Sequence, residues 1–325
     1  MKTSTLARSL AAVLAVAATL SGCSTTGLEA PLNITGSESV AESEAPVIND
    51  DGYVAPQATE SAEAADSDDA TEAVPTGDGK KLKVGIPFTY PGIGLMDEET
   101  GVPSGFAVDI AAYLAWKLGY SPYDIVWVDA PTASRVPLLQ SGLVDMVVAP
   151  MSITPERAEE VDFAGPYLIA GQDILVRASD TSIKSKDDLV GKTVCTITSS
   201  TGQERLWELF GFEITSINKK DYQGCIQAVV DGEADAVSSD DAILAGHAST
   251  DKFYRLVRLL GEPFSEERYG IGLPNGSHNL CLQVNQALTE MVEDGSWKKF
   301  IDRNVAGTHY FEDRYDNPPA LEKCE

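Results

Sequence analysis

Three short segments carry side chains suited to gripping a small charged molecule. In "SITPERAEEVDFAGPY" (Ser152 to Tyr167), Thr154 and Pro155 read as a helix N-cap and first helical residue, because proline's missing N–H is not needed there. Arg157 then takes the third helical position, where Glu or Gln would complete a capping box. A cation in the first turn opposes the helix macrodipole by ~0.3–1 kcal/mol, so helix stability does not account for it. Pairing with Glu160 would put the cation N-terminal to the anion, the weaker order. "TSSTG" (Thr198 to Gly202) leads from a strand into a helix, so its free N–H groups and hydroxyls form a candidate anion site, although Ser/Thr-rich helix starts are also common caps. In "DAVSSDDAIL", Asp240 and Asp241 both stand at a helix start, and one can cap it while the other serves a charged partner. The three histidines, His247, His278 and His309, lie outside these segments, and no nucleophile–base set accompanies them. The chemistry on offer is binding.

The elements that must position these groups begin at Lys80. The chain has 325 residues and a formal net charge of −26. Lys2 and Arg8 form a positive start, Ser9 to Leu20 form an apolar run of about twelve residues, and "LSGC" ends at Cys23. That run is too short to span a bilayer, which needs roughly twenty residues. It resembles a bacterial lipoprotein signal whose cysteine is acylated, which would hold the protein on the outer face of a membrane. Ser24 to Gly79 is rich in Ala, Ser, Thr, Glu, Asp and Pro, with Tyr53 its one aromatic residue and no Lys or Arg. It supplies half of the net charge and too little apolar surface to offset ordering entropy, so it reads as a disordered acidic tether. As a coil it would span about 40 Å, and self-repulsion would extend it. Neither half carries a basic stripe, which argues against nucleic acid.

From Lys80 onward, short β-rich runs alternate with amphipathic helical stretches, which predicts α/β architecture. The first unit reads strand 82–87, helix 105–119, strand 124–128, helix 134–142, strand 145–149. The second reads strand 192–197, helix 201–210, strand 212–217, helix 222–232, strand 235–238. "LLQSGLVDMVVAP" and "AVVDGEADAVSSD" share the order helix, glycine, two residues, aspartate, strand. Aligning Asp145 with Asp235 sets Pro150 opposite Asp240 and implies two similar lobes, with ligands held outside the strand C-termini. A recurring helix-to-strand turn would produce the same echo. "AGQDILVR" and "EERYGIGL" read as crossings between lobes, which makes a two-strand hinge, and the last two helices, from His278 to Asn304, return the chain to the first lobe. The expected divisions are 1–23 signal, 24–79 tether, 80–172 first lobe, 173–266 second lobe and 267–325 return to the first. Beyond Cys23, four cysteines remain in an exported chain, an even set that favours disulfides, with no CxxC spacing or nearby histidine to suggest a metal. Four allow three connectivities. The lobe assignment favours Cys195 with Cys225 and Cys281 with Cys324, since a bridge between the pairs could lock the hinge.

"SITPERAEEVDFAGPY", "AGQDILV", "GKTVCTITSSTG", "DGEADAVSSDDAIL", "PFSEERYGIGL" and "MVEDGSWKKF" occur in the order seen in polar amino-acid solute-binding proteins of ABC importers, which the chain resembles from Lys80 to Glu325. The resemblance is strongest to the glutamate-binding lipoproteins of actinobacterial importers, whose mature cysteines are similarly placed. It implies the two-lobed periplasmic-binding-protein fold (type II), a monomer without cofactor, and an ABC permease as membrane partner. It places the α-carboxylate clamp on Arg157, whose planar fork bonds both oxygens, with Ser152, Thr201 and the Gly202 backbone, within the "TSSTG" start that includes Thr198. The ammonium falls to Asp240 and the Pro150 carbonyl. Phe88 and Tyr90 match an aromatic wall, although the nearby "PGIG" departs from many members. Arg135 matches a contact to the distal carboxylate of acidic ligands, which would favour glutamate, ahead of aspartate, glutamine and asparagine. Another distal basic contact of some acidic binders has no counterpart in "PFTYPGIG", and Arg135 could instead pair with Asp129. An amino-acid sensor signalling to a membrane receptor and an enzyme on the same fold are the competing readings.

Overall fold

In the computed structural model, residues 47–49, 52–54, 80–305, 308 and 313–324 are described. The proposed signal and Cys23 lie outside them, as does the expected tether except for a short hairpin, Val47–Asn49 paired antiparallel with Gly52–Val54.

Two five-stranded sheets are built to one plan. In the first lobe, β1 (Leu82–Ile86), α1 (Phe106–Lys117), β2 (Ile125–Asp129), α2 (Arg135–Gln140) and β3 (Met146–Ser152) form two parallel crossovers. A short helix α3 (Pro155–Ala158) then leads into β4 (Asp162–Ala170). The chain crosses to β5 (Gln172–Arg177) and repeats the plan in the second lobe: β6 (Thr193–Ile197), α4 (Thr201–Phe210), β7 (Thr215–Lys219), α5 (Tyr222–Asp231), β8 (Ala236–Asp240) and α6 (Asp241–Ala248). After β9 (Val257–Leu259), β10 (Glu267–Leu273) returns to the first sheet, and α7 (His278–Glu293) and α8 (Ser296–Asn304) pack over α1. The sheet orders are β2-β1-β3-β10-β4 and β7-β6-β8-β5-β9, so each lobe receives one antiparallel strand beside its third parallel strand. Strands covered on both faces read as continuous apolar or small-residue runs, and every residue of β3 and β8 is buried. α1 is apolar nearly all round for the same reason, lying between its sheet and the two C-terminal helices.

The Gly-x-x-Asp echo marks equivalent positions. Asp145 takes the Lys83 N–H at 2.7 Å and Asp235 takes the Thr193 N–H at 2.8 Å, so each aspartate fastens the first strand of its sheet to the third. Both third strands run farther than the sequence pattern suggests, through Ser152 and through Asp240, and carry Pro150 and Asp240 to matching strand ends. The strand expected at 212–217 is shifted. Gly211, at φ 50°, ends α4, Gly211–Glu213 form a 3-10 turn, and only Thr215–Lys219 pair with β6. The alternation in "FEITSI" suits a strand, but the turn consumes Phe212, which is 94% exposed.

The crossings β4–β5 and β9–β10 lie side by side, tied by the Gln172 N–H donating to Ser265 Oγ at 2.9 Å. One disulfide, Cys195–Cys225, joins β6 to α5 inside the second lobe, and the other, Cys281–Cys324, holds the C-terminal segment to α7. That segment is further fixed by Glu322 N–H donating to the Gly165 carbonyl at 2.7 Å and by Tyr315 Oη donating to Asp241 at 2.6 Å. The 43-residue separation of Cys281 and Cys324 makes their bridge worth at most about 4 kcal/mol in the loop-entropy model. A Cys281→Ser/Cys324→Ser variant should lose a large part of that stability in urea unfolding while keeping its far-ultraviolet dichroism. An unchanged midpoint would show that the segment is held by its other contacts.

Candidate ligand-binding site

The strand ends of the two lobes face each other across a small cavity. Thr132, Pro150 and Arg157 line it from the first lobe, and Ser200, Thr201, Gly202, Tyr222, Asp240 and Ile243 from the second. These residues lie at or just beyond the C-terminal ends of β2, β3, β6, β7 and β8, the edge at which open α/β sheets hold ligands. The enclosed space is about 20 Å³, so a solute must move side chains or lobes to enter. A roomier groove of about 260 Å³ lies between α7 and the C-terminal segment, but its lining is mostly apolar, from Pro166, Leu288, Val292, Trp297, Pro319 and Leu321, and offers little grip on a charged solute.

Arg157 is at the third position of α3, where Thr154 caps the helix by accepting the Arg157 N–H. Its Nη1 donates to the Ser152 carbonyl at 2.8 Å. It does not pair with Glu160, whose carboxylate takes the Gln140 amide at 2.8 Å. Burial, then the positive charge of Arg135, lowers its pKa from the ordinary arginine value. Arg135 is 2% exposed. It donates from Nε to the Ala130 carbonyl at 3.2 Å and from Nη1 to the Pro150 carbonyl, while Nη2 is buried without a hydrogen-bond partner among the described residues. Asp129 is not its partner, since that carboxylate takes the Phe88 N–H at 3.2 Å. Two guanidinium groups therefore meet near the cavity with no carboxylate bonded to either among the described residues.

Asp240 stands at the N-cap position of α6 without capping it. Its carboxylate accepts Tyr269 Oη at 2.6 Å, while Asp241 takes the N–H groups of Gly171 and Ala242 at 3.1 and 2.8 Å. Burial raises the Asp240 pKa to about 7, and the nearby Glu267 adds to the rise. The Tyr269 hydroxyl, Arg157 and Arg135 oppose it. Ser200 caps α4 by accepting the Gln203 N–H at 3.1 Å, so the helix presents its N-terminal end, with Thr201 and Gly202, to the cavity. Gln172 holds this end in place, donating to the Gly202 carbonyl at 3.0 Å and to Ser238 Oγ at 2.9 Å.

Of the residues expected from sequence, Arg157, Pro150, Thr201, Gly202 and Asp240 line the cavity, and Arg135 reaches it through the Pro150 carbonyl. Ser152 lies behind it, its hydroxyl given to Glu267 at 2.6 Å. Thr198 is exposed and outside the lining, and Phe88 packs on the core instead. Tyr90 is buried against Tyr222 and His247 of the second lobe, with ring centroids 5.9 and 6.0 Å away. Thr132, Ser200, Tyr222 and Ile243 were not singled out by sequence, nor were Glu267 and Tyr269 behind them. The lobe echo points to Tyr222, which follows a strand as Thr132 does, but nothing local marks the hinge pair Glu267 and Tyr269.

Residues 82–306 match the bacterial extracellular solute-binding proteins, family 3, and the chain belongs to that family. It is 34% identical over 233 residues to the glutamate-binding protein GluB of Corynebacterium efficiens, covering 69% of this chain and 78% of the relative. It is 33% identical over 234 residues to the glutamine-binding protein GlnH of Bacillus subtilis, covering 70% and 84%. Among solved structures, an ancestral arginine-binding protein bound to arginine superposes with a TM-score of 0.63 at 34% identity, covering 69% of this chain and 97% of that one. This is a polar amino-acid solute-binding protein with the two-lobed type II fold.

Gly246 of α6 faces Pro91 of the first lobe so closely that an added Cβ would lie 2.1 Å from the Pro91 carbonyl oxygen. Gly246→Ala should keep the lobes apart and weaken amino-acid binding at least tenfold in calorimetry. Melting of the unliganded protein should not fall, since alanine is about 1 kcal/mol the better helix former. Binding at full strength would show that closure does not bring these groups together. Asp240 makes the protein sensitive to pH. A carboxyl whose folded pKa is raised, from 3.8 to about 7, binds more protons folded than unfolded over that range, so the stability of the closed form falls as pH rises through it. An ammonium held by Asp240 would need the ionised form, and affinity should then fall roughly tenfold per pH unit below about 7. Binding enthalpies at pH 6.5 should then depend on the buffer, reporting proton release, and buffer-independent heats would show that Asp240 is already ionised.

Proposed function

We propose that the protein is a lipid-anchored extracytoplasmic receptor that captures glutamate and delivers it to an ABC importer. The observation that carries the choice of glutamate is Arg135, a guanidinium buried beside the cavity with an unused Nη2 and no carboxylate bonded to it among the described residues. Burying an unpaired cation is expensive, and a ligand's distal carboxylate would offset that cost where a neutral amide would not. Arg157, with the start of α4, suits the α-carboxylate, and Asp240 the ammonium.

Because these groups come from both lobes, a solute that bridges them stabilises the closed form, and closure is the signal a permease can read. This division suits reversible capture rather than turnover. The relatives named above are binding proteins for glutamate and for glutamine, which supports the amino-acid class. The lipid anchor rests on the positive start, short apolar run and "LSGC" ending at Cys23.

Calorimetric titration of the mature protein with glutamate, aspartate, glutamine and asparagine tests the ligand. Arg135→Gln should weaken glutamate by about 10–100-fold, the range for a charged hydrogen-bonded partner, while glutamine changes less than threefold. Arg157→Ala should abolish binding of all four. Equal losses across ligands in Arg135→Gln would remove that residue from selectivity.

A further inference from the structure

We propose that Arg205 and Glu267 form a latch between the lobes, making Arg205 a positioning residue that sets how long the solute is held without touching it. The inference rests on the solute-capture reading above. Arg205 rides on α4 in the second lobe, and Glu267 is the first residue of β10, where the chain re-enters the first sheet. Arg205 Nη2 lies 3.1 Å from Glu267 Oε1. The Glu267 side chain is 3% exposed, so its charge is held away from water. Oε2 accepts the Ser152 hydroxyl at 2.6 Å and Oε1 also accepts the Ser265 hydroxyl at 2.8 Å. The carboxylate is thus shared between the end of β3, the hinge and the second lobe.

Only the third of these partners depends on closure. Ser152 lies on the strand paired with β10, and Ser265 is two residues away on the same crossing, so both stay with Glu267 when the lobes separate. Arg205 leaves with α4. The ion pair is then present in one conformation and absent in the other, which is the differential interaction a population shift requires. Neither residue lines the cavity. The pair nevertheless connects to it, because the Ser152 residue that gives its hydroxyl to Glu267 gives its carbonyl to Arg157 Nη1 at 2.8 Å. A continuous run of hydrogen bonds leads from α4, through Glu267 and Ser152, to the guanidinium proposed for the α-carboxylate. The latch also places a cation against Glu267, whose negative charge helps raise the Asp240 pKa, so Arg205 offsets part of the repulsion that the closed form sets up between two buried carboxylates.

The test uses the mature protein, disulfides intact, spin-labelled at Gln283→Cys on α7 and Glu208→Cys on α4, both exposed and one in each lobe. Interlobe distances are measured with and without saturating glutamate, and glutamate release is followed by stopped flow. With Arg205→Gln, the short-distance population should shrink and release should accelerate about tenfold, with association within twofold of the wild type. Glu267→Gln should do the same, and the double variant should be no faster than either single one. Arg205→Lys should recover part of the loss. Unchanged distances and release in Arg205→Gln, or effects that simply add in the double variant, would overturn the latch. If the wild type binds none of the four amino acids, the capture reading fails, and the distance distributions of the unliganded wild type and Arg205→Gln still decide the latch: identical distributions reject it, and a shift towards longer distances in the variant supports it.

Discussion

Charges drawn out of water at the meeting of the two lobes constrain the rest of the structure. A guanidinium or carboxylate buried there needs partners, because its desolvation is otherwise uncompensated. Arg135 spends Nε and Nη1 on two carbonyl oxygens and has Nη2 left over. Asp240 has one tyrosine hydroxyl, and Glu267 has two serine hydroxyls and one guanidinium. These groups can be fixed so close together only because each is held by elements whose own hydrogen bonds are complete elsewhere. The two sheets supply that rigidity, and the paired crossings tie them together as a two-strand hinge.

The repeated plan explains how one chain brings matching edges together. In each lobe an aspartate after a Gly-x-x turn fastens the third strand to the first, and the third strand then runs buried to its cavity end. Pro150 and Asp240 occupy equivalent places with different chemistry, a carbonyl in one lobe and a carboxylate in the other. The same scaffold therefore yields an asymmetric cleft, which the amino acid proposed above would enter in one orientation.

Much of this was legible in the chain because it is local. The Thr154 cap, the misplaced cation at Arg157, the α4 start at "TSSTG" and the order of strands and helices depend on residues within a few positions of each other. The Gly-x-x-Asp echo reached further, since it repeats a local clasp twice. What escaped depends on long-range approach. Tyr269 is 29 residues from Asp240, and Glu267 is 62 from Arg205 and 115 from Ser152. No periodicity brings such partners together on paper. The direction of Ser152 was hidden for the same reason: its hydroxyl has both the cavity and Glu267 within its neighbourhood, and the buried carboxylate is the stronger acceptor. Phe212 shows a different limit, because alternation alone did not reveal that Gly211 would spend two residues on a turn.

Asp240 and Asp241 show how adjacent residues of the same type divide two tasks. A carboxylate at a helix start ordinarily turns back to cap it, and that would take Asp240 away from the cavity. Here Asp241 anchors the segment instead. Its Oδ1 takes the Gly171 N–H at the crossing and the Tyr315 hydroxyl from the C-terminal segment, and its backbone N–H returns to the Gly171 carbonyl at 2.8 Å. These bonds bind the start of α6 to the hinge and to the segment held by Cys324. Asp240 is thereby left at a fixed strand end with its carboxylate turned to Tyr269 and the cavity, so the position of the group proposed for the ammonium is set by its neighbour Asp241.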